Sequence, residues 1–143
     1  MSKFIKVGII GSTGYTGVEL IKILYNHRYV VLKELSSENH FNKNLNQVLP
    51  NFNLKKLPKL KKKDQINVSK LDLIFVSLPH IQSQKYISKI IDKVKIIDLS
   101  GDFRLKNFKN YQKWYSKTHK IKNRISDFTY GLSEIYKKEI SKS

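Results

Sequence analysis

The sequence predicts an α/β fold, a Rossmann-like doubly wound parallel sheet. Two observations support this prediction: short apolar, β-branched runs alternate with helical patterns, and a glycine-rich break follows the first run. The chain has 143 residues and no cysteine, and it holds no apolar run of the ~18 residues that a membrane-spanning helix needs. We therefore expect one domain over residues 1–143, located in the cytoplasm, with no disulfide, no membrane contact and no metal site.

The first third of the chain predicts a βαβ unit. Residues 4–10 (FIKVGII) are typical of a buried parallel strand, and the helical pattern that starts at Tyr15 fades near Asn26. Residues 29–35 (YVVLKEL) predict the second strand. A strand, a glycine turn, a helix and a strand in this order match the βαβ arrangement of a dinucleotide-binding sheet.

The rest of the chain continues the alternation after an irregular stretch. Residues 36–63 are polar and predict a long loop with short elements. Residues 71–78 (LDLIFVSL) predict a buried strand that Pro79 ends, residues 81–92 a helix, and residues 94–99 (VKIIDL) another strand. In such a sheet, ligands bind beyond the carboxyl ends of the strands.

The first candidate site is the glycine-rich turn after the first strand. Glycines recur at every third position from Gly8 to Gly17, so a pyrophosphate can approach the backbone and the amides at the start of the helix. A glycine-rich turn that binds nothing is the alternative. The candidate cofactor-binding residues in this turn are Gly11, Ser12, Thr13, Gly14, Tyr15, Thr16 and Gly17.

The second candidate site is the corner after the second strand, where a dinucleotide fold meets the adenosine ribose. The hydroxyls of Ser36 and Ser37 can donate to a 2′-phosphate, which favours NADP as the cofactor. Glu38 can instead accept from a free 2′-hydroxyl, which leaves NAD possible. An ordinary polar turn remains the third interpretation.

Two further segments lie at predicted carboxyl ends of strands. Leu78, Pro79 and His80 end one strand and would face a cofactor, although a structural role for the histidine is equally compatible with the sequence. The next strand delivers Ser100, Asp102 and Arg104, the candidate substrate-binding residues. A guanidinium suits a carboxylate or an acyl phosphate, and an Arg–Asp pair that stiffens the loop is the alternative.

The formal net charge of +17 raises the alternative of a nucleic-acid binder. Of the 28 basic residues, only Arg28, Arg104 and Arg124 are arginine. Base-edge and phosphate recognition favours arginine, so this composition predicts lysines spread over solvated faces and no specific nucleic-acid partner.

The motifs together resemble the N-acetyl-gamma-glutamyl-phosphate reductases. The resemblance covers essentially the whole chain, and its most specific block is the one that contains Arg104. The matching blocks are residues 7–20 (VGIIGSTGYTGVEL), 77–80 (SLPH), 97–105 (IDLSGDFRL), 111–115 (YQKWY) with His119, and 130–132 (YGL) with Glu134.

The resemblance implies an NADPH-dependent reduction of an acyl phosphate to a semialdehyde, in arginine biosynthesis. In the family a cysteine nucleophile follows the Tyr-Gly-Leu block, and the later catalytic domain also serves homo-oligomer formation. This sequence contains no cysteine, so the resemblance implies a truncated nucleotide-binding portion without the C-terminal catalytic and dimerisation domain. Such a chain would be inactive alone and would depend on a complementing chain; a non-catalytic nucleotide-binding module is the alternative.

The chain also departs from the family's pattern in two places. Members that hold a 2′-phosphate often carry an arginine near the position of Glu38, and many have proline where this chain has Ser133. The first departure leaves the choice between NADP and NAD open.

Overall fold

The computed structural model describes residues 4–52 and 54–143. Residues 1–3 and Asn53, which the predicted domain and the predicted loop include, lie outside the described residues. The chain divides into two compact units, Met1–Leu78 with Ile90–Leu99 and Pro79–Lys89 with Ser100–Ser143. One domain over the whole chain stays a prediction.

The first unit contains a parallel sheet. Its strands are β1 (Ile5–Ile10), β2 (Val30–Ser36), β3 (Leu60–Lys61), β4 (Leu73–Val76) and β5 (Lys95–Asp98). The strand order β3-β2-β1-β4-β5 and the parallel pairing of all neighbours confirm the predicted Rossmann-like sheet. Since the strand order reverses between β1 and β4, the carboxyl ends of these two strands mark the point at which such sheets bind ligands.

The centre of this sheet is buried. Val7 and Ile9 of β1 and Ile74 of β4 have no exposed surface, as expected for parallel strands that are covered on both faces. Helix α1 (Tyr15–Tyr25) adds Ile21 to the same core. The helix begins at the predicted residue and ends one residue before Asn26, so the βαβ unit is confirmed.

The polar stretch between β2 and β4 holds short elements, as expected. They include α2 (Leu45–Val48) and single 3₁₀ turns at Lys63–Gln65 and Val68–Lys70. The sequence did not predict β3. Only two residues of β3 pair with β2, and lysines surround them, so no period of apolar residues marks this strand.

The second unit is helical. It contains α3 (Gln82–Ile87), α4 (Phe108–Tyr115), a 3₁₀ segment (Lys122–Asp127) and α5 (Ser133–Ile140). The predicted helix over residues 81–92 is wrong in its second half, because α3 ends at Ile87. The amide of Lys89 donates to the carbonyl of Tyr86, three residues back, at 3.0 Å, so the backbone tightens into turns there. No helix within the described residues is long and apolar enough to cross a membrane.

Candidate functional site

The glycine turn joins the end of β1 to the start of α1, and two of its glycines are required by the fold. Gly11 has φ +85°, and a Cβ there would overlap with the carbonyl oxygen of Ser77. A Cβ at Gly17 would overlap with the carbonyl oxygen of Gly11 and lie 2.9 Å from the Cα of Ser12. Both glycines therefore allow backbone segments to pack closely, whether or not a ligand is bound.

Gly14 differs from these two glycines. It is the N-cap residue of α1, with φ −76° and ψ 161°, a conformation that any residue can adopt. A Cβ at Gly14 would meet only the carbonyl oxygen of Gly11, at an ordinary 3.5 Å, and the residue is exposed. The fold does not require glycine here, so what glycine provides is open space in front of the helix.

The N-terminus of α1 is suited to the binding of an anion. No side chain of the described residues caps it, and its first turn contains no acidic residue. The amides of the first turn, from Tyr15 to Gly17, have no partner within a helix, and the helix dipole makes this end attractive to an anion. Thr16 is exposed and Thr13 is half-buried beside these amides, while Tyr15 is 98% exposed.

Two of the predicted phosphate-binding hydroxyls hold the turn together instead. Ser12 has no exposed surface; its hydroxyl donates to the carbonyl of Ile9 at 2.9 Å and accepts from the amide of Ser36 at 3.1 Å. The hydroxyl of Ser36, which is 2% exposed, accepts from the amide of Gly11 at 3.1 Å. The geometry gives these two serines a structural role that the sequence did not reveal.

The ribose corner at the end of β2 is likewise tied to its surroundings. The hydroxyls of Ser37 and Thr13 lie 2.8 Å apart, and Ser37 is 5% exposed. Glu38 accepts from the amide of Lys63 at 3.0 Å and pairs with its Nζ at 3.1 Å. The amide hydrogen bond is the main cause that lowers the pKa of Glu38, and the Lys63 ammonium lowers it further, so the carboxylate stays ionised.

Three consecutive lysines lie at β3 beside this corner. The carbonyl of Lys61 accepts from the amide of Ser37 at 2.9 Å, and the Nζ of Lys61 donates to Glu34 at 3.0 Å. Lys62 is exposed, and its Nζ lies 4.5 Å from the ring centre of Phe41. Within residues 4–52 and 54–143 the structure records no carboxylate partner for Lys62.

In the second unit, Asp102 is the centre of a buried hydrogen-bond network. It has no exposed surface and accepts from the hydroxyl of Tyr111 at 2.7 Å and from the amides of Ile81 and Gln84 at 2.8 and 3.3 Å. Its Oδ1 also lies 3.3 Å from Nδ1 of His80. Burial alone would raise the pKa of Asp102, but these hydrogen bonds outweigh it and the pKa is lowered.

The two residues predicted to contact a substrate, Asp102 and Arg104, differ in their exposure. Asp102 is fully enclosed in this conformation, and its amide donates to the hydroxyl of Ser100 at 3.0 Å. Its contact with a substrate stays a prediction. The alternative interpretation, an ion pair between Arg104 and Asp102, does not hold in this structure. Arg104 is exposed, and the described part of the chain offers it no carboxylate partner, so its guanidinium can accept an anion.

The remaining predicted residues are Leu78, which belongs to the first unit, and Pro79 and His80, which belong to the second. Leu78 is half-buried, Pro79 is exposed, and the side chain of His80 is 53% exposed. Sequence reasoning missed Ile81, Gln84 and Lys62. Only the position of Lys62 in a lysine run is visible in the sequence, because the other two act through contacts with distant residues.

Comparisons with known proteins agree with this geometry. The family model "Semialdehyde dehydrogenase, NAD binding domain" matches residues 6–143. A Campylobacter jejuni protein named N-acetyl-gamma-glutamyl-phosphate reductase is 43% identical over 140 residues, which cover 97% of this chain and 40% of the relative. A probable chloroplastic protein of the same name from Arabidopsis thaliana is 34% identical over 99% of this chain and 35% of its own length. The chain thus spans 35 to 40% of the length of these two relatives.

Solved structures share the fold. Aspartate semialdehyde dehydrogenase with NADP from Candida albicans superposes with a TM-score of 0.62 at 16% identity, over 74% of this chain and 32% of that chain. The Vibrio cholerae aspartate semialdehyde dehydrogenase II complexed with ASA gives a TM-score of 0.59 at 23% identity, over 71% and 32%. Because the family model matches nearly all of the sequence, the chain belongs to the semialdehyde dehydrogenase NAD-binding domain family.

Proposed function

We propose that the first unit binds the pyrophosphate of a dinucleotide at the N-terminus of α1. The observation that carries this proposal is the uncapped helix with Gly14 in front of it. Among the described residues only the carbonyl oxygen of Gly11 lies near a Cβ at this position, and the fold itself does not demand a glycine there. The amides of Tyr15, Thr16 and Gly17 would donate to phosphate oxygens. The exposed hydroxyl of Thr16 and the half-buried hydroxyl of Thr13 would add further donors.

We infer that NADP is the preferred cofactor, because the lysine run from Lys61 to Lys63 adjoins the ribose corner. The hydroxyls of Ser36 and Ser37 are buried and engaged, so they do not suffice to hold a 2′-phosphate. Lys62 is an exposed cation beside this corner without a carboxylate partner in the described residues, and we expect it to take the role of the family's arginine. Glu38 favours NAD instead, but its pairing with Lys63 reduces its repulsion of a phosphate.

The reaction that this cofactor would serve is the reduction of N-acetyl-gamma-glutamyl phosphate, after which the curated relatives are named. NADPH would supply the hydride when bound. Arg104 would hold the acyl phosphate, since a guanidinium matches a phosphate with two parallel hydrogen bonds. The thioester route of the family needs a thiolate nucleophile, and this sequence contains no cysteine, so we expect these 143 residues alone to be inactive.

Titration of the ¹⁵N-labelled chain with NADP and with NAD tests the proposal directly. We expect the amide signals of residues 13–17 to shift with NADP, and with NAD at higher concentration. Amides in this turn that stay unmoved in a folded sample would refute the binding proposal. A separate NADPH-oxidation assay with the acyl phosphate tests inactivity, because robust turnover by the purified chain would contradict it.

A further inference from the structure

A buried carboxylate lies on one face of the sheet in the first unit. Glu34 of β2 is paired in register with Gly8 of β1, and it is 7% exposed. A Cβ built on Gly8 would lie 2.6 Å from the side chain of Leu71 and 3.7 Å from the Cβ of Glu34, so the stem of Glu34 lies beside apolar groups. A charge in such surroundings is costly unless it is paired.

The partner of Glu34 is Lys61 of β3. The Nζ of Lys61 lies 3.0 Å from Oε1 and 2.8 Å from Oε2 of Glu34. The carbonyl of Lys61 also accepts from the amide of Ser37 at 2.9 Å. Since only two residues of β3 pair with β2, the ion pair gives this short strand a second attachment. Lys61 is thus held both through its ammonium group and through its backbone.

Carboxylates of β2 and of the ribose corner neutralise the two outer lysines of the run. Lys61 pairs with Glu34, and the Nζ of Lys63 lies 3.1 Å from Glu38. Lys62 lies between them, and among the residues that the structure describes no carboxylate is recorded as its partner. The pairing therefore leaves the middle lysine of the run with its positive charge unbalanced.

We propose that Glu34 is a positioning residue for NADP: through Lys61 it fixes β3, so that Lys62 is presented to the 2′-phosphate. An ammonium group acts as a point charge on a flexible stem, so its attraction for a phosphate depends on where the backbone places it. Glu34 acts through Lys61 and does not contact the cofactor. This inference rests on the proposed function, because the 2′-phosphate belongs to the cofactor proposed there.

A double substitution separates positioning from charge. Glu34→Gln combined with Lys61→Gln removes one charge of each sign, so the net charge of the chain stays at +17. We expect this variant to bind NADP about three- to tenfold more weakly and NAD as the unmodified chain does. Glu19→Gln combined with Lys22→Gln is the matched control, because it removes an exposed ion pair of α1. Equal NADP affinities of the two double variants, or equal losses for NADP and NAD, would overturn the proposal.

A cycle with Lys62→Gln tests whether the effect passes through Lys62. In a chain that already carries Lys62→Gln, removal of the Glu34–Lys61 pair should cost no further NADP affinity, because the cation that the pair positions is gone. Losses that simply add would show that Glu34 and Lys61 act on NADP binding independently of Lys62, which contradicts the proposal.

Hydrogen exchange tests the attachment of β3 without any ligand. The amide of Ser37 donates to the carbonyl of Lys61, so its exchange reports whether β3 stays in place. We expect faster exchange of this amide in the double variant at Glu34 and Lys61 than in the control variant. An unchanged exchange rate would overturn the attachment of β3 by the ion pair.

The lysine ammonium groups of the unmodified chain give a measurement that does not depend on the folding of a variant. In ¹H–¹⁵N correlations at low temperature, the Nζ protons of Lys61 should exchange with water more slowly than those of Lys62. Equal exchange rates would overturn the proposal even if the double variant does not fold. A folded, unmodified chain that does not bind NADP would refute the proposed function, whereas both exchange measurements would still decide whether Glu34 holds β3.

Discussion

The hydroxyl of Ser36 accepts a hydrogen bond from the amide of Gly11 at 3.1 Å, and this contact joins the end of β2 to the turn after β1. The amide of Gly11 is therefore engaged within the protein. The amide of Ser12 is engaged as well, because it donates to the carbonyl of Ser36 at 2.8 Å. The first two residues of the turn thus build its shape, and the binding of an anion depends on the residues that follow, at the start of α1.

Gly14→Ala should weaken NADP binding without disturbing the fold. Beyond its two chain neighbours, the added methyl group meets one atom of the described residues, at 3.5 Å, but it would occupy the approach to the helix amides. We expect about a tenfold loss of affinity, which corresponds to about 1.4 kcal/mol, measured by calorimetric titration.

Gly131→Ala is the matched control, because a Cβ at Gly131 has no heavy atom within 4 Å. Both variants should melt within a few degrees of the unmodified chain. If Gly14→Ala binds NADP as tightly as the control does, the pyrophosphate does not sit in front of α1.

Gly17→Ala should damage the fold rather than only the binding. Its Cβ would overlap with backbone at Gly11 and approach the Cα of Ser12 at 2.9 Å, and backbone cannot move aside as a flexible side chain can. We expect a loss of at least about 2 kcal/mol in the free energy of unfolding, measured by urea denaturation. A loss no larger than that of Gly131→Ala would contradict the close packing of α1 on the turn.

The contrast between these glycines shows what the sequence could predict. Strand, turn and helix lie within a short stretch around Gly11, so local patterns were enough to predict β1, the turn and the start of α1. The buried network joins Asp102 to residues that are 9 to 22 positions away, from Tyr111 to His80. No local period records such contacts, and the same holds for the two-residue pairing of β3 with β2.

Lys62→Gln should lower the affinity for NADP and leave the affinity for NAD unchanged. The variant removes a cation beside the ribose corner, and only NADP carries the 2′-phosphate that this cation would contact. We expect about a tenfold loss for NADP at low salt, shrinking as salt screens the exposed charge.

Lys22→Gln is the control, since Lys22 pairs with Glu19 on the exposed side of α1. It removes the same charge from the chain and should leave the affinities for both cofactors unchanged. Equal losses of NADP affinity in the two lysine variants would mean that the net charge of the chain determines this affinity, and not a specific contact of Lys62.

Tyr111→Phe should make the free energy of unfolding fall less steeply as the pH is lowered into the acidic range. The pKa of Asp102 in the folded chain lies below its ordinary value of 3.8, so the ionised carboxylate stabilises the fold above that pH, and this contribution is lost as the pH falls from 3.8 through the lower folded value. Removal of the Tyr111 hydroxyl takes away a hydrogen bond that lowers the pKa. The variant therefore starts less stable, and its stability falls less steeply on acidification.

Urea denaturation between pH 6 and about pH 3 measures this difference in slope. Glu38 contributes in the same direction, but it is common to both proteins and cancels in the difference. Tyr136→Phe, at an exposed tyrosine of α5, controls for the loss of a hydroxyl. Parallel curves for Tyr111→Phe and the unmodified chain would show that the Tyr111 hydroxyl does not stabilise the charged form of Asp102, whereas a shallower curve for Tyr111→Phe alone ties the acid sensitivity of the fold to the carboxylate that holds His80 and Ile81.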